Sequence, residues 1–141
     1  MPDLRAAVAY VDTSALVKLV VREAQSDALE RELSTWRGLA TSIIATIELP
    51  RAVQRARAEG RESVAGNEAI ALLLAAIAEI PLSARVRSTA STLAPVELRT
   101  LDAIHLASAL SLGGDVAVVI TYDHRMSSAA TALGLHSAAP D

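Results

Sequence analysis

Short apolar runs of strand length alternate along this chain with longer segments that are rich in alanine and leucine. Bounded apolar runs indicate buried strands, and Ala- and Leu-rich segments favour helices. The predicted strands cover residues 7–12, 39–41, 80–82, 116–121 and a short run after His136. The predicted helices cover residues 15–21, 23–33, 42–58, 62–79, 83–93, 101–112 and 125–133. Ser14 is predicted to cap the first of these helices and Thr100 the sixth. Strands joined by helices pair in parallel, so we expect an α/β fold with a mainly parallel central sheet and helices on both faces.

Length, composition and charge limit the kinds of protein that this chain can be. With 141 residues and a net charge of −3, it is predicted to be one domain, residues 1–141, with a sizeable core. The absence of cysteine excludes disulfides and Cys-zinc sites and predicts a cytoplasmic protein. The apolar runs are too short to span a bilayer, and we expect no signal peptide. Because the net charge is negative, RNA would have to be held by local cationic side chains or by a metal.

Four carboxylates, those of Asp12, Glu48, Asp102 and Asp123, lie at the edges of apolar segments. Burying an unpaired carboxylate is costly, so acids in such places have a cation, a hydrogen-bond donor or water nearby. Asp12 and Asp123 follow two predicted strands, and the carboxyl ends of parallel strands form the rim of the sheet where ligands bind. Few cationic residues accompany these acids in the sequence, which favours a divalent metal ion.

The chemistry that such acids favour is the hydrolysis of phosphodiesters. Mg²⁺ and Mn²⁺ prefer carboxylate and water ligands, and three or four converging acids leave room for a phosphate oxygen and an attacking water. Each acid also has a structural interpretation. Asp102 and Asp123 occupy positions typical of the first turn or N-cap of a helix, and Glu48 could be an exposed helix residue. Asp12, which follows a buried strand, favours a functional role most strongly.

Three segments of the chain form recognisable motifs: Asp12 to Leu19, Leu101 to Leu110, and Thr121 to Met126 followed by Ala132 to Leu135. Together they resemble the motifs of PIN-domain proteins, and particularly of the VapC-type toxins of toxin–antitoxin modules. Asp12 to Leu19, with the sequence Asp-Thr-Ser-Ala-Leu-Val-Lys-Leu, resembles the opening motif of that family. Leu101 to Leu110 resembles the third acidic motif, and Thr121 to Met126, followed by Ala132 to Leu135, resembles the fourth. Glu48 stands where the helical glutamate of the family falls. The resemblance covers nearly the whole chain, and its first and third motifs are specific.

The resemblance implies a single PIN-like domain with a Rossmann-like α/β/α sandwich and an endoribonuclease activity that depends on Mg²⁺ or Mn²⁺. It also implies inhibition by a VapB-like antitoxin, and we expect a homodimer. Carried over by position, the main metal ligands would be Asp12 and Asp102. Glu48 and Asp123 would complete the acidic cluster directly or through waters. The hydroxyls of Ser14 and Thr121 would orient the acids or a water.

Several other residues bear on this interpretation. Pro50 departs from the expected pattern, because a proline inside a helix disturbs the turn that carries Glu48. His105 lies one turn from Asp102, but its apolar surroundings favour a packing role over a role as ligand or base. Asp115 follows two glycines and is interpreted as a turn residue. The arginines at positions 51, 55 and 57 are interpreted as a solvated helix face, with RNA or an acidic antitoxin segment as the alternative. Residues 69–78 are expected in the core, or partly against a partner protein.

Two classes of protein compete with the nuclease interpretation. A receiver-like signalling domain also gathers acids at the rim of a parallel sheet, but it needs a paired acid after the first strand and a late lysine. Here Thr13 follows Asp12, and Lys18 is the last lysine of the chain. A phosphatase of the haloacid-dehalogenase type needs a second aspartate where Ser14 stands. A catalytically silent PIN-like binding module stays open, because only an assay distinguishes it from the enzyme.

Overall fold

A parallel β-sheet forms the centre of the computed structural model, which describes residues 8–61 and 64–141. Within these residues the strands are β1 (Val8–Val11), β2 (Gly38–Ser42), β3 (Ala78–Ile80), β4 (Val116–Ile120) and β5 (Ser137–Ala138). They lie in the order β3-β2-β1-β4-β5, and every neighbouring pair is parallel. The predicted α/β class and parallel sheet are therefore confirmed.

Helices cover both faces of the sheet and complete a three-layer sandwich. They are α1 (Thr13–Val20), α2 (Ser26–Ser34), α3 (Ala45–Ala58), α4 (Asn67–Ala75), α5 (Ala84–Thr92), α6 (Thr100–Ser111) and α7 (His124–Ala132). Side chains alternate across a strand, so Ala9 and Val11 pack with α1 to α4, whereas Tyr10 faces α6 and α7. Burial on both faces explains why β1 and β4 are almost continuously apolar.

The largest difference between the expected and observed elements lies between α3 and β4. The helix predicted for residues 62–79 is observed only as Asn67–Ala75, and Glu62 and Ser63 lie outside the described residues. The prediction was wrong for Ala78 and Glu79, which pair with Ala40 and Thr41 as part of β3. Tertiary pairing overrides the helical preference of alanine and glutamate at this edge of the sheet. The strand predicted for residues 80–82 therefore ends at Ile80.

Several helix ends also differ from prediction. Ser42 belongs to β2, so α3 begins at Ala45 rather than at Ser42. Ser26 begins α2, because its buried hydroxyl accepts a hydrogen bond from the backbone of Glu23 at 2.9 Å and closes a turn there. The start of the first predicted strand at Ala7 lies outside the described residues.

The topology places the carboxyl ends of β1 and β4 side by side. The backbone N–H of Asp12 donates to the carbonyl of Ile120 at 3.2 Å, so the residues after both strands emerge at the same rim. Thr121 to Asp123 and the start of α1 therefore share one edge of the sheet. Among the described residues, no helix combines the length and apolar character needed to cross a membrane.

Candidate active site

Asp12 is held rigidly at the end of β1. Its side chain is only 3% exposed, and its Oδ1 accepts hydrogen bonds from the Ser14 hydroxyl at 2.6 Å and the Ala15 backbone at 3.2 Å. Its Oδ2 accepts from the Thr121 hydroxyl at 2.8 Å. Burial raises the pKa of Asp12, although the hydrogen bonds from Ser14 and Thr121 oppose that rise. Asp12 is thus a buried carboxylate whose negative charge the surroundings only partly offset.

Ser14 and Thr121 tie the two strand ends together through Asp12. The hydroxyl of Ser14 also accepts from the Tyr122 backbone at 2.9 Å, and that of Thr121 accepts from the Asp123 backbone at 3.1 Å. Asp12 itself, not Ser14, is the N-cap of α1, so the predicted capping role of Ser14 was wrong. Its hydroxyl is used instead to orient the carboxylate and the turn that leads to Asp123.

Glu48 reaches the site from the first turn of α3. Both hydrogen bonds that it accepts go to Oε1, from the Thr13 hydroxyl at 2.7 Å and from His105 Nε2 at 2.7 Å. Burial alone would raise the pKa of Glu48, but the donors His105 and Thr13 outweigh it and the pKa is lowered. α3 continues through Pro50, and Glu48 still faces α1 and α6.

His105 is the residue whose role the sequence interpretation missed. Its buried position on α6 agrees with the packing role that we expected, but both ring nitrogens also make hydrogen bonds. Because the Glu48 carboxylate can only accept, the proton of the neutral ring is assigned to Nε2, and the Tyr10 hydroxyl, 2.6 Å from Nδ1, then donates to that nitrogen. A buried histidine needs partners for both nitrogens, and that requirement was the available signal in the sequence.

Asp102 and Asp123 share a cation that the sequence interpretation also missed. Asp102 lies in the first turn of α6, and Asp123 caps α7 by accepting from the Arg125 and Met126 backbones at 2.9 and 3.2 Å. Arg99 Nε lies 3.3 Å from Asp102 Oδ2, and Arg99 Nη2 lies 3.6 Å from Asp123 Oδ2. Thr100 is the first residue of α6, not its predicted N-cap; that position belongs to Arg99.

The four acids therefore lie along one rim and are linked through neighbouring side chains. Thr13 and His105 contact Glu48, while Ser14 and Thr121 connect Asp12 to the turn that carries Asp123.

The other residues considered as functional candidates in the sequence lie outside this group of acids. Asp115 is in a short 3₁₀ turn, as expected for a turn residue, and Arg51 and Arg55 are exposed. Arg57 donates to the carbonyl of Ala65, and Arg61 pairs with Glu23, so both hold the segment after α3.

The side chains of the rim that could bind a metal are carboxylates, and hard divalent cations prefer carboxylate ligands. In the part of the chain that the structure describes, Glu48 Oε2 and Asp102 Oδ1 accept no hydrogen bond and are available as ligands. However, no three His, Asp or Glu side chains of residues 8–61 and 64–141 are close enough together to form a ready-made metal site. Metal binding would therefore require the side chains to draw together.

Comparison with known proteins identifies the class to which this fold and site belong. The model of the PIN-domain family matches residues 9–132, which is most of the chain. The chain therefore belongs to the PIN-domain family.

Curated relatives narrow the class to VapC ribonucleases. Ribonuclease VapC46 of Mycobacterium tuberculosis is 45% identical over 138 residues, which cover 95% of this chain and 98% of the relative. Ribonuclease VapC47 of the same species is 36% identical over 93% of this chain and 96% of the relative. The family resemblance seen in the motifs is thus confirmed.

Two solved structures share the fold. The VapC20 toxin of Mycobacterium tuberculosis, which cleaves the sarcin-ricin loop, superposes with a TM-score of 0.66 over 86% of this chain and 94% of that one. VapBC-1 from nontypeable Haemophilus influenzae superposes with a TM-score of 0.64 over 94% of this chain and 97% of that one. Both are 19% identical in sequence, so they support the architecture alone.

Proposed function

We propose that this chain is the toxin of a toxin–antitoxin module and that it hydrolyses RNA phosphodiester bonds with Mg²⁺ or Mn²⁺. The observation that carries the proposal is the state of Asp12. It is buried at the carboxyl end of a central strand, its neighbours hold both oxygens in place, and no cation contacts it among the described residues. A divalent ion at the rim would supply the missing positive charge.

The residues of the rim divide the work of such a reaction. Asp12 and Asp102 would hold the metal, and Glu48 and Asp123 would contact it directly or through water. When bound, the metal would lower the pKa of a water molecule and stabilise charge on the phosphate oxygens. Ser14 and Thr121 keep the carboxylate of Asp12 in one orientation. His105 and Thr13 lower the pKa of Glu48, so this carboxylate keeps its negative charge and would add it to the metal site.

A thermal melt tests the metal site without any assay of activity. Ligands that bind only the folded state stabilise it by mass action, so Mg²⁺ or Mn²⁺ should raise the melting temperature relative to EDTA. The double variant Asp12→Asn, Asp102→Asn should lose that response. The matched control, Asp27→Asn with Asp115→Asn, changes two exposed aspartates and should keep it. Equal metal-induced shifts in both double variants would exclude the proposed ligands.

Cleavage of RNA separates the enzyme from a catalytically silent PIN-like module. We expect hydrolysis of single-stranded or looped RNA in the presence of metal and none in EDTA. Attack of water on phosphorus, with the ribose O3′ as the leaving group, leaves a 5′-phosphate and a 3′-hydroxyl. Ends that carry a 2′,3′-cyclic phosphate would contradict this mechanism, because they require attack by the 2′-hydroxyl. No cleavage with metal present would favour the silent module.

A VapB-like antitoxin is the protein partner that we propose. The exposed side of α4 supports a protein partner, because Leu72 is 67% exposed and Ala71 and Ala75 beside it are also exposed. This observation favours the partner alternative for part of residues 69–78, whereas Ile70 and Ile77 are buried in the core. Co-expression with the neighbouring small reading frame should give a stable complex with little ribonuclease activity. A complex that cleaves RNA as fast as the free chain would contradict an inhibitory partner.

A homodimer is also proposed, and it rests on the family resemblance alone. Sedimentation velocity of the isolated chain over a wide range of concentrations tests it. A single monomeric species at every concentration would contradict this part of the proposal and would leave the nuclease assignment untouched.

A further inference from the structure

A cavity of about 700 Å³ opens beside Asp102, between the loop that precedes α6 and the helix α7. Its apolar lining includes Leu98, Ala129 and Leu133. Its charged lining consists of the acids Glu97 and Asp102 and of three side chains that are or can be cationic, namely Arg99, His124 and Arg125. Its volume lies within the range of roughly 300–1,000 Å³ that is typical of ligand pockets. An apolar interior with a few polar groups is the usual composition of such a pocket.

We propose that this cavity binds a nucleobase of the RNA chain next to the phosphate that is cleaved. The inference rests on the proposed function and adds a specificity-determining subsite to it. Asp102 lines the cavity and is also one of the four acids of the rim. A nucleotide whose phosphate lies at the rim therefore has its base within reach of the apolar wall.

The cations favour a nucleotide over a purely apolar ligand. Arg99 spans the distance between the acids and the cavity, its side chain is 64% exposed, and its contacts with Asp102 and Asp123 are long. Such a side chain can turn to an RNA phosphate at little cost. Arg125 and His124 are exposed at the same wall. A guanidinium group binds phosphates through paired hydrogen bonds and also stacks on bases.

The type of contact follows from the lining. Neither of the two tyrosines nor the single tryptophan of the chain lines the cavity, and the chain contains no phenylalanine. A base would therefore lie against aliphatic side chains, with the arginine planes and the ring of His124 as the stacking surfaces. This arrangement tolerates more than one base, so we expect a preference among bases rather than absolute selection.

A second cavity provides an internal comparison. It has a volume of about 600 Å³ and is lined by residues such as Leu82, Arg87, Ser91 and Val96, but by none of the four acids. It is similar in size and shares Leu98 with the first cavity, but it differs from that cavity in that none of the acids of the rim lines it. A substitution that fills it therefore controls for the general effect of adding a large side chain to this side of the molecule.

NMR titration of the isotope-labelled full chain in EDTA tests the subsite without catalysis. The probes are the four nucleoside 5′-monophosphates, with ribose 5-phosphate as the probe that lacks a base. We expect at least one nucleotide to shift the amide signals of Ser128, Ala129 and Ala132, which line only this cavity. It should bind at least about tenfold more tightly than ribose 5-phosphate, as expected for one stacked base.

Matched variants locate the binding. Ala132 is an exposed residue at the cavity, so Ala132→Trp should fill the cavity without disturbing the core, and the nucleotide shifts should be lost. Ser91→Trp, which fills the second cavity, should leave them unchanged. Arg125→Gln should weaken nucleotide binding roughly two- to fivefold, which is the effect of one exposed charge. Arg85 is exposed on α5 and does not line the cavity, so Arg85→Gln should leave nucleotide binding unchanged.

Three outcomes would overturn the subsite. Ribose 5-phosphate could bind as tightly as the nucleotides, which would indicate an anion site with no role for the base. All nucleotides could leave the cavity signals unchanged. Ala132→Trp could impair binding of the antitoxin partner and leave nucleotide binding intact, which would assign the cavity to a protein side chain. Because the titration needs no metal, the absence of RNA cleavage would contradict the proposed function without deciding this test.

Discussion

At the scale of single residues, the chemistry of the site depends on the pKa of each carboxyl group. Glu48 receives hydrogen bonds from Thr13 and His105, which keep its pKa below the ordinary value in spite of burial. His105 Nε2 donates to Glu48, and the Tyr10 hydroxyl contacts the other ring nitrogen, Nδ1. His105 is therefore a positioning residue, since it acts on the site through Glu48.

Replacing His105 by leucine should disturb both ends of this chain of hydrogen bonds. Losing the partner of a buried polar group costs about 1–3 kcal/mol, so urea unfolding at neutral pH should show a loss of that size. The lowered pKa of Glu48 gives stability that is present above its unfolded pKa and is lost as the pH falls through the folded pKa. The stability gap between the parent and His105→Leu should therefore narrow as the pH falls into the acid range.

Tyr10→Phe is the matched control for that substitution. It removes a hydroxyl from the same chain of hydrogen bonds but leaves the donor to Glu48 in place. The carboxyl signal of Glu48, followed by NMR, should titrate at higher pH in His105→Leu and stay near the parent in Tyr10→Phe. An unchanged Glu48 titration in both variants would show that His105 does not control its charge.

The contribution of Asp12 to stability should change with pH in the direction opposite to that of Glu48. Its pKa is raised by burial, so the folded state binds this proton more tightly than the unfolded state does. That contribution to stability is complete below the unfolded pKa and is lost as the pH rises through the folded pKa. In EDTA at neutral pH, the folded chain consequently carries a cost from this group that is absent in acid.

Asp12→Asn should remove that cost while keeping the shape of the side chain. The amide oxygen can accept the hydrogen bonds from Ser14 and Ala15, and the amide nitrogen can donate to Thr121. In EDTA the variant should melt at a higher temperature than the parent at neutral pH, and the difference should vanish in acid. A variant that melts below the parent at neutral pH would contradict this account, and Asp115→Asn serves as the exposed control.

At the scale of secondary-structure elements, a proline in the second turn of α3 lowers the stability of that helix. Pro50 has no N–H to donate to the carbonyl of Thr46, yet the helix continues to Ala58. Glu48 stays in place because Thr13 and His105 hold its carboxylate from outside the helix. The direction of Glu48 is therefore determined by packing between helices as much as by α3 itself.

Pro50→Ala should stabilise the protein without changing the site. Removing an interior proline should stabilise the helix by ~3 kcal/mol. The substitution also gives the unfolded chain more conformational freedom, which offsets ~1 kcal/mol of this gain, so we expect the unfolding free energy to rise by about 2 kcal/mol. Arg51→Ala, at the exposed neighbouring position, should have little effect. RNA cleavage by Pro50→Ala should stay near that of the parent. A large loss of cleavage would show that Pro50 itself aims Glu48.

At the scale of the whole molecule, α4 presents apolar residues to the outside of the fold. Ile70 is its one buried residue, and Leu72 is 67% exposed. Leu72→Lys should leave the stability of the free chain within about 0.5 kcal/mol, as is usual for an exposed position. It should weaken the antitoxin complex by roughly tenfold or more, because burying a leucine contributes about 1.5–3 kcal/mol. Isothermal titration calorimetry measures the affinity of the antitoxin for the parent chain and for Leu72→Lys.

Val96→Lys is the control for the α4 experiment. Val96 is 94% exposed and belongs to the loop between α5 and α6, so the same substitution there should leave the affinity for the antitoxin unchanged. An equal loss of affinity in both variants would indicate a general effect of charge. Unchanged affinity in Leu72→Lys would remove α4 from the interface.

The sequence by itself determined the alternation of strands and helices and the positions of Asp12 and Asp123 after β1 and β4. Both are local properties, because apolar periodicity and residue preference act over a few neighbouring residues. The sequence was less informative at the sheet edge, where Ala78 and Glu79 favour a helix but pair with β2. It also misplaced the caps of α1 and α6, since several residue types can serve at a helix start.

Only the tertiary structure decided how the four acids are charged and connected. Tyr10 and His105 are 95 residues apart, and His105 and Glu48 are 57 apart, yet their hydrogen bonds set the state of Glu48. Arg99 contacts Asp102 within its own helix start, but its contact with Asp123 exists because α6 and α7 pack side by side. Such contacts depend on where distant elements meet, and no local pattern of residues specifies that.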